Sequence, residues 1–312
     1  MTNLLRKVKS LGRKASRQAV VGLALGGGGV RGLAHVGVLS VFQRAAIPVK
    51  AIAGSSMGAI VGVAYALNPD FSKEFMAKQM ADLGLSVQGG LLENGRDKES
   101  FVQKIRQFID TERFIVDAML GWGILPETRI LESLRRLMLG KRLEETQIAI
   151  AVVATDLLSG DKIVFREGPA DFAIQASSAL PGFLPPVDDQ DRLLADGAFI
   201  DLIPTTVVRD LGADFVIAVD VDQEGLRVEV HNGLEAFLRA VDLCARHHKR
   251  HHLESADLVI RPDFDQAVKP LDFSKAELCI EAGEQAAEQM LPELREQMNR
   301  QHSLSKTAST EG

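Results

Sequence analysis

The chain has 312 residues, 46% of them hydrophobic, and a formal net charge of −6, so it can bury the core of one large or two ordinary domains. Its two cysteines, Cys244 and Cys279, exclude a disulfide scaffold and fit a reducing compartment. No apolar run reaches the roughly 18 to 20 residues of a membrane-spanning helix, and residues 1–18 lack the apolar centre of a secretion signal. We therefore expect a cytoplasmic protein.

The basic residues are concentrated on the amino-terminal side. Residues 1–69 contain nine Lys or Arg and no Asp or Glu, whereas the rest of the chain has 27 basic and 42 acidic residues. Within this stretch, residues 1–18 form a separate arm with Leu4, Val8 and Leu11 on one helical face. Such a basic helix can lie on an anionic bilayer, but short isolated helices are marginal in water. Peripheral membrane contact and a disordered basic tail are both open.

From residue 19 onward, apolar runs alternate with helical patterns. Runs rich in Val, Ile and Ala predict strands, and they span 19–25, 49–54, 148–155, 162–166, 192–195, 214–221 and 257–261. Apolar residues three and four apart predict a helix after the first strand through Val41 and further helices over 57–67, 126–139, 170–179, 204–211, 234–252 and 274–298. This alternation indicates an α/β fold with a largely parallel sheet.

The pattern also divides the chain into segments. The regular α/β domain spans 19–221 and contains a less regular, lid-like helical insertion over 70–122. A mainly helical extension over 222–300 is expected to pack on the same domain. The polar residues 301–312 are expected to be disordered.

A run of glycines follows the first predicted strand and opens the first helix. Gly27, Gly29 and Gly32 match the dinucleotide-binding pattern G-x-G-x-x-G, which is a weak signal alone. That pattern needs a carboxylate about 20 residues later for the ribose hydroxyls, but the next acidic residue is Asp70. Consecutive glycines at a helix start also expose backbone N–H groups to negative charge. This favours an oxyanion hole over a nucleotide site, and no cofactor is expected.

The segment Gly54-Ser55-Ser56-Met57-Gly58 lies between the second predicted strand and its helix. This strand–turn–helix layout is typical of a nucleophile elbow, which presents Ser56 at the carboxyl edge of the sheet. Gly54 and Gly58 permit the sharp turn and the close passage of neighbouring chain. The glycine loop would lie at the same edge, where ligands of α/β sheets bind. The sequence thus predicts a serine hydrolase.

A serine nucleophile needs a group that takes its proton, and none of the seven histidines follows a late strand as in a conventional triad. His35 falls one turn into the first helix, where we expect it to pack or cap. The cluster HHKRHH over 247–252 has the i,i+4 spacing of a metal site. Because its neighbours are basic and no carboxylate is interleaved, we interpret it as a solvated helix face and predict no metal site.

The best candidate for the base is Asp196, which ends a predicted strand and precedes Gly197. A carboxylate with a pKa near 3.9 is a poor base for a serine hydroxyl, but partial burial would raise that pKa. An aspartate in a turn or helix cap is also common, so the residue alone is ambiguous. Asp156 and Asp201, near other strand ends, are the fallback candidates.

Taken together, three motifs resemble those of the patatin-like phospholipases, nearest to the bacterial branch related to neuropathy target esterase. They are Gly27-Gly28-Gly29-Val30-Arg31-Gly32, Gly54-Ser55-Ser56-Met57-Gly58 and Asp196-Gly197-Ala198. The segments 154–157 and 176–186 also resemble the family's core, so the resemblance covers about residues 20–221. It implies a three-layer α/β/α fold with a mostly parallel central sheet.

The resemblance further implies hydrolysis of fatty acyl esters of phospholipids or lysophospholipids by a Ser–Asp dyad without histidine. Ser56 would attack the ester carbonyl, and Asp196 would take its proton and later activate water. Arg31 would stabilise the oxyanion loop or meet a phosphate. The oxyanion amides would come from Gly27, Gly28 and Gly29. The glycines that support the motifs would be Gly32, Gly54, Gly58 and Gly197.

Two other classes of function are compatible with the fold. One is a non-catalytic regulatory or scaffold module, against which the intact Ser56, Asp196 and glycines argue. The other is a nucleotide-binding protein that uses the glycine loop, against which the missing ribose carboxylate argues. No nucleic-acid partner is expected, and nothing in the sequence indicates the oligomeric state.

Overall fold

The computed structural model describes residues 20–68, 72–79, 82, 127–223, 230 and 233–308. The predicted amino-terminal arm and most of the predicted insertion over 70–122 lie outside these described residues. Within them, no helix combines the length and the apolar character needed to cross a bilayer.

Eight strands in the described part of the chain form one sheet. They are β1 (Val21–Leu25), β2 (Val49–Ser55), β3 (Ala149–Asp156), β4 (Lys162–Phe165), β5 (Val187–Asp189), β6 (Arg192–Asp196), β7 (Phe215–Val219) and β8 (Leu258–Ile260). The hydrogen-bonded path through the sheet is β5-β6-β3-β2-β1-β7-β8, and β4 pairs with β3. Strands β3, β2, β1, β7 and β8 are mutually parallel, whereas β4 and β6 run antiparallel to β3.

Helices cover both faces of this sheet. They are α1 (Ala34–Arg44), α2 (Met57–Leu67), α3 (Glu127–Met138), α4 (Ala170–Ser178), α5 (Thr205–Asp210), α6 (Gly233–Leu253) and α7 (Ala276–Ala308). Short 3-10 helices follow β1 over Gly29–Leu33 and follow β6 over Gly197–Phe199.

The alternation of side chains along β1 explains the two layers of helices. Val21, Leu23 and Leu25 belong to the apolar core with α1, α2 and α7. Gly22 points the other way, where an added Cβ would lie 2.2 Å from Cγ1 of Val208 in α5. Small residues on that side allow α5 to approach the sheet closely. The predicted three-layer α/β/α fold with its mostly parallel sheet is confirmed.

One strand and the end of the last helix differ from the prediction by more than a few residues. Strand β5 was not predicted, because it is a three-residue edge strand whose sequence, VDD, carries little apolar pattern. Helix α7 continues to Ala308, so the expected disorder from residue 301 onward is wrong for residues 301–308. Beyond Pro292, which lies inside the helix, no proline or glycine interrupts the chain before residue 308.

Candidate active site

One edge of β3 is shared by two other strands. Val153 of β3 pairs with Ser55, the last residue of β2, and the next residue, Ala154, pairs with Asp196, the last residue of β6. Strand β4 occupies the opposite edge of β3 over the same stretch, so β2 and β6 meet end to end. Ser56 follows β2 directly, and this junction therefore brings it next to Asp196.

The backbone at Ser56 has the sharp turn that the sequence predicts for an elbow. Ser56 has φ 54° and ψ −125° and immediately precedes α2. An added Cβ at Gly54 would lie 2.5 Å from the carbonyl of Gly58, and one at Gly58 would lie 2.2 Å from the carbonyl of Leu25. Both positions therefore require glycine, and the left-handed serine between them is a strained residue held in place by its surroundings.

The side chains of Ser56 and Asp196 form a direct hydrogen bond. Ser56 Oγ donates to Oδ2 of Asp196 across 2.6 Å. Asp196 is only 3% exposed, and burial raises the pKa of its carboxyl group from 3.8 to about 6 against the opposing hydrogen bonds from Ser56 and the amide of Ala198. The aspartate is thus a stronger proton acceptor than an exposed carboxylate, and it touches the serine hydroxyl.

The other atoms of Asp196 fix its position. Oδ1 accepts the amide of Ala198 at 2.9 Å, which caps the short 3-10 helix, and the carbonyl accepts the hydroxyl of Thr155 at 2.8 Å. An added Cβ at Gly197 would lie 2.0 Å from the carbonyl of Val153, so the turn after Asp196 also requires glycine. The capping role and the contact with Ser56 use different oxygens, so one aspartate serves both.

The glycine loop runs alongside this pair. An added Cβ at Gly27 would lie 3.3 Å from Cβ of Ser56, so the loop is in contact with the elbow. The amide of Gly27 donates to the carbonyl of Leu202 at 3.0 Å. Gly27 therefore does not offer a free amide to an oxyanion, contrary to the expectation. Gly28 and Gly29 stand at the start of the 3-10 helix, where amides have no intrahelical acceptor, and no described backbone contact uses them.

Two further glycines of this loop are required by close contacts. Gly29 has φ 59°, and an added Cβ there would lie 2.2 Å from the carbonyl of Pro270. An added Cβ at Gly32 would lie 2.7 Å from Cβ of Met57, the first residue of α2. The second contact packs the 3-10 helix against the helix that follows Ser56.

Arg31 connects the glycine loop to an acidic residue that follows β7. Its Nε donates to the carbonyl of Gly28 at 3.3 Å, and its Nη1 lies 3.5 Å from Oδ1 of Asp222. Asp222 also binds the ammonium of Lys249 in α6 at 3.2 Å, and the same ammonium lies 3.0 Å from Asp220. Lys249 is fully buried. This series of charged contacts links α6 to the glycine loop. Of the two roles considered for Arg31, these contacts support stabilisation of the loop.

The two fallback aspartates have other partners. Oδ1 of Asp156 accepts two backbone amides at 3.1 Å each, and Oδ2 accepts the hydroxyl of Ser159, which with those amides holds its pKa below the usual value. Burial tends to raise the pKa of Asp201, but His252 and Lys162, each 2.9 Å away, hold it low.

The histidines fall into two groups. His35 is fully buried, and its Nε2 donates to the carbonyl of Gly26 at 2.7 Å, while burial lowers its pKa to about 4. It is therefore a neutral packing residue, as expected. In α6, three histidines of the 247–252 cluster are exposed, but His252 and Lys249 face inward. The solvated-face interpretation is wrong for these two residues, because Lys249 contacts Asp220 and Asp222 after β7 and His252 contacts Asp201.

Within the described residues, no cluster of three or more His, Cys, Asp or Glu is arranged to hold a metal ion.

The α/β/α layers, the elbow and the buried aspartate define a known class of protein. Residues 23–209 match the patatin-like phospholipase family. The chain is 34% identical over 209 residues to an uncharacterized NTE family protein of Mycobacterium tuberculosis. This alignment covers 67% of this chain and 51% of that relative. It is 34% identical over 203 residues to a patatin-like phospholipase domain-containing protein of Caenorhabditis elegans. That alignment covers 64% of this chain and 13% of the nematode protein.

The chain belongs to the patatin-like phospholipase family. It spans about half the length of the mycobacterial relative and a smaller part of the nematode one. Among solved structures, it is similar to VipD from Legionella pneumophila, with 12% identity, a TM-score of 0.39 and coverage of 88% of this chain and 67% of that one.

Proposed function

We propose that the chain is a serine hydrolase that cleaves fatty acyl esters of phospholipids or lysophospholipids. The observation that carries this proposal is the 2.6 Å hydrogen bond from Ser56 Oγ to the buried carboxylate of Asp196. Membership of the family supports a lipid substrate. The glycine loop, which contacts the elbow at Gly27, supports acyl transfer, because backbone amides of such a loop can hold an oxyanion.

In the proposed reaction, Asp196 accepts the hydroxyl proton of Ser56 while Oγ attacks the ester carbonyl carbon. The carbonyl oxygen becomes an oxyanion, which the amides of Gly28 and Gly29 would hold, and each such donor is worth roughly 3 kcal/mol. Collapse of the tetrahedral intermediate breaks the ester bond, and the leaving alkoxide takes the proton from Asp196. Asp196 then accepts a proton from water, which attacks the acyl-serine carbonyl carbon. Collapse of this second intermediate breaks the bond between the acyl group and Ser56 Oγ, releases the fatty acid and returns the proton from Asp196 to Ser56 Oγ.

The proposal is tested by measuring p-nitrophenyl ester hydrolysis and fatty acid release from lysophospholipid vesicles. Ser56→Ala and Asp196→Asn are expected to fall to near background, because the first removes the nucleophile and the second removes the base. A fluorophosphonate probe should label the wild type and not Ser56→Ala.

Asp210→Asn is the matched control for the carboxylate, since Asp210 is exposed at the end of α5 and its substitution should leave turnover unchanged. Equal hydrolysis by wild type, Ser56→Ala and Asp196→Asn would reject the dyad. Absence of both hydrolysis and labelling in the wild type would favour a non-catalytic module.

A further inference from the structure

The end of α4 and Ala179, the residue that follows it, contact the backbones of both Ser56 and Asp196. The amide of Ser56 donates to Oγ of Ser177 at 3.0 Å. The amide of Asp196 donates to the carbonyl of Ala179 at 2.9 Å. A segment of three residues therefore binds the backbones of both members of the dyad, although it lies about 120 residues after one and 20 residues before the other.

The hydroxyl of Ser177 differs from that of its neighbour. Ser178 shows the common behaviour of a serine in a helix, because its hydroxyl donates to the carbonyl of Ile174 one turn earlier. Ser177 is fully buried, and its oxygen instead accepts a hydrogen bond from another part of the chain. The two adjacent serines thus have the same chemistry but only one of them contacts the elbow.

The amide of Ser56 needs an acceptor from outside its own helix. Ser56 immediately precedes α2, where the first N–H groups have no intrahelical carbonyl. Its φ of 54° is unfavourable for a residue with a side chain, so neighbouring groups must hold it there. In the same residue, the direction of Oγ toward Asp196 depends on the orientation of this strained backbone.

We propose that Ser177 is a positioning residue for the dyad. Its hydroxyl oxygen fixes the Ser56 amide, keeps the elbow in its strained conformation and so directs Ser56 Oγ at Asp196. It also occupies the Ser56 amide, which leaves the oxyanion to the amides of the glycine loop. This inference rests on the proposed function, because positioning has a kinetic meaning only if Ser56 is the nucleophile.

The test compares Ser177→Ala and Ser177→Cys with Ser178→Ala. Ser177→Ala removes the acceptor, and a misplaced nucleophile is expected to lower kcat by about tenfold to a hundredfold with KM changed by less than about twofold. Ser177→Cys keeps the volume of the side chain but offers only a weak acceptor, so it should lose kcat as well. Ser178→Ala should keep wild-type kcat. The rate of fluorophosphonate labelling should fall in parallel with kcat.

The outcomes separate this inference from the proposed function. Wild-type hydrolysis, an inactive Ser56→Ala and a Ser177→Ala variant with wild-type kcat would overturn the positioning role and leave the dyad intact. A Ser177→Cys variant that matches the wild type would show that the site requires volume and not an acceptor, and would also overturn it. If Ser177→Ala does not fold by circular dichroism, Ser177→Cys still decides. An unlabelled, inactive wild type would reject both proposals.

Discussion

Asp196 illustrates how one side chain combines a structural and a chemical task. Oδ1 caps the turn that follows β6, and Oδ2 faces Ser56. Burial makes the ionised form costly, which is useful for a base and unfavourable for the folded chain. We therefore expect the buried carboxylate to lower the stability of the folded protein while it raises the affinity of Asp196 for a proton.

This trade predicts that Asp196→Asn is more stable than the wild type above pH 7. The folded-state pKa of about 6 lies above the ordinary value of 3.8, so the folded protein binds the proton more tightly than the unfolded chain. The stabilising effect of that proton is complete below pH 4 and is lost as the pH rises through 6. Removing the ionisable group at pH 8 should then raise the free energy of unfolding by up to about 3 kcal/mol.

Urea unfolding of both proteins at pH 4 and pH 8 measures the effect. The difference between Asp196→Asn and wild type should be larger at pH 8 than at pH 4, and Asp210→Asn should show no comparable change. A difference independent of pH would mean that the carboxylate is not desolvated in the folded state.

The end of β7 and helix α6 form the element that supports the glycine loop. Asp220 and Asp222 are almost completely buried, and the ammonium of Lys249 in α6 forms an ion pair with each of them, beside arginines that contact them from other directions. Removing one partner of a buried ion pair leaves the other charge without compensation. The loop contact through Arg31 depends on the same Asp222.

We predict that Lys249→Met destabilises the chain by about 3 kcal/mol, whereas Arg250→Met on the same helix changes stability by less than about 0.5 kcal/mol. Arg250 is exposed, so its loss leaves no buried carboxylate unpaired. Thermal unfolding of the two variants beside the wild type is the measurement. Equal melting temperatures for the two variants would mean that the buried pair contributes nothing net.

Much of the fold could be predicted because strands such as β1 and β3 are apolar runs with clear ends. The run HHKRHH was misinterpreted because its pattern gives no sign that Lys249 meets aspartates more than 25 residues earlier. The contact between Ser56 and Asp196 was inferred from motifs and resemblance, not from register. The contact between these two side chains depends on β2 and β6 sharing one edge of β3. Ser177 was missed because the sequence of a helix does not show that a serine hydroxyl in it accepts a hydrogen bond from a distant part of the chain.

At the scale of the whole molecule, Ser56 and residue 20, where the described chain begins, lie at opposite ends of two parallel strands. Ser56 follows the carboxyl end of β2, which is parallel to β1, whereas residue 20 precedes the amino end of β1. Eighteen residues can span at most about 60 Å when extended, so the arm is long enough to reach a bilayer without contacting the dyad. The arm would therefore tether the protein and leave the chemistry unchanged.

Deleting residues 1–18 should weaken binding to anionic vesicles at least roughly tenfold while leaving kcat for a soluble p-nitrophenyl ester within about twofold. The segment contains six Lys or Arg, and each basic residue near an anionic surface contributes about 1 kcal/mol. The difference should shrink at high salt, because the attraction is screened, and should be absent on zwitterionic vesicles. Vesicle co-sedimentation and ester hydrolysis of the same two preparations measure both quantities. Unchanged binding to anionic vesicles would remove the arm as a membrane contact, and lost ester hydrolysis would show that it acts on the site after all.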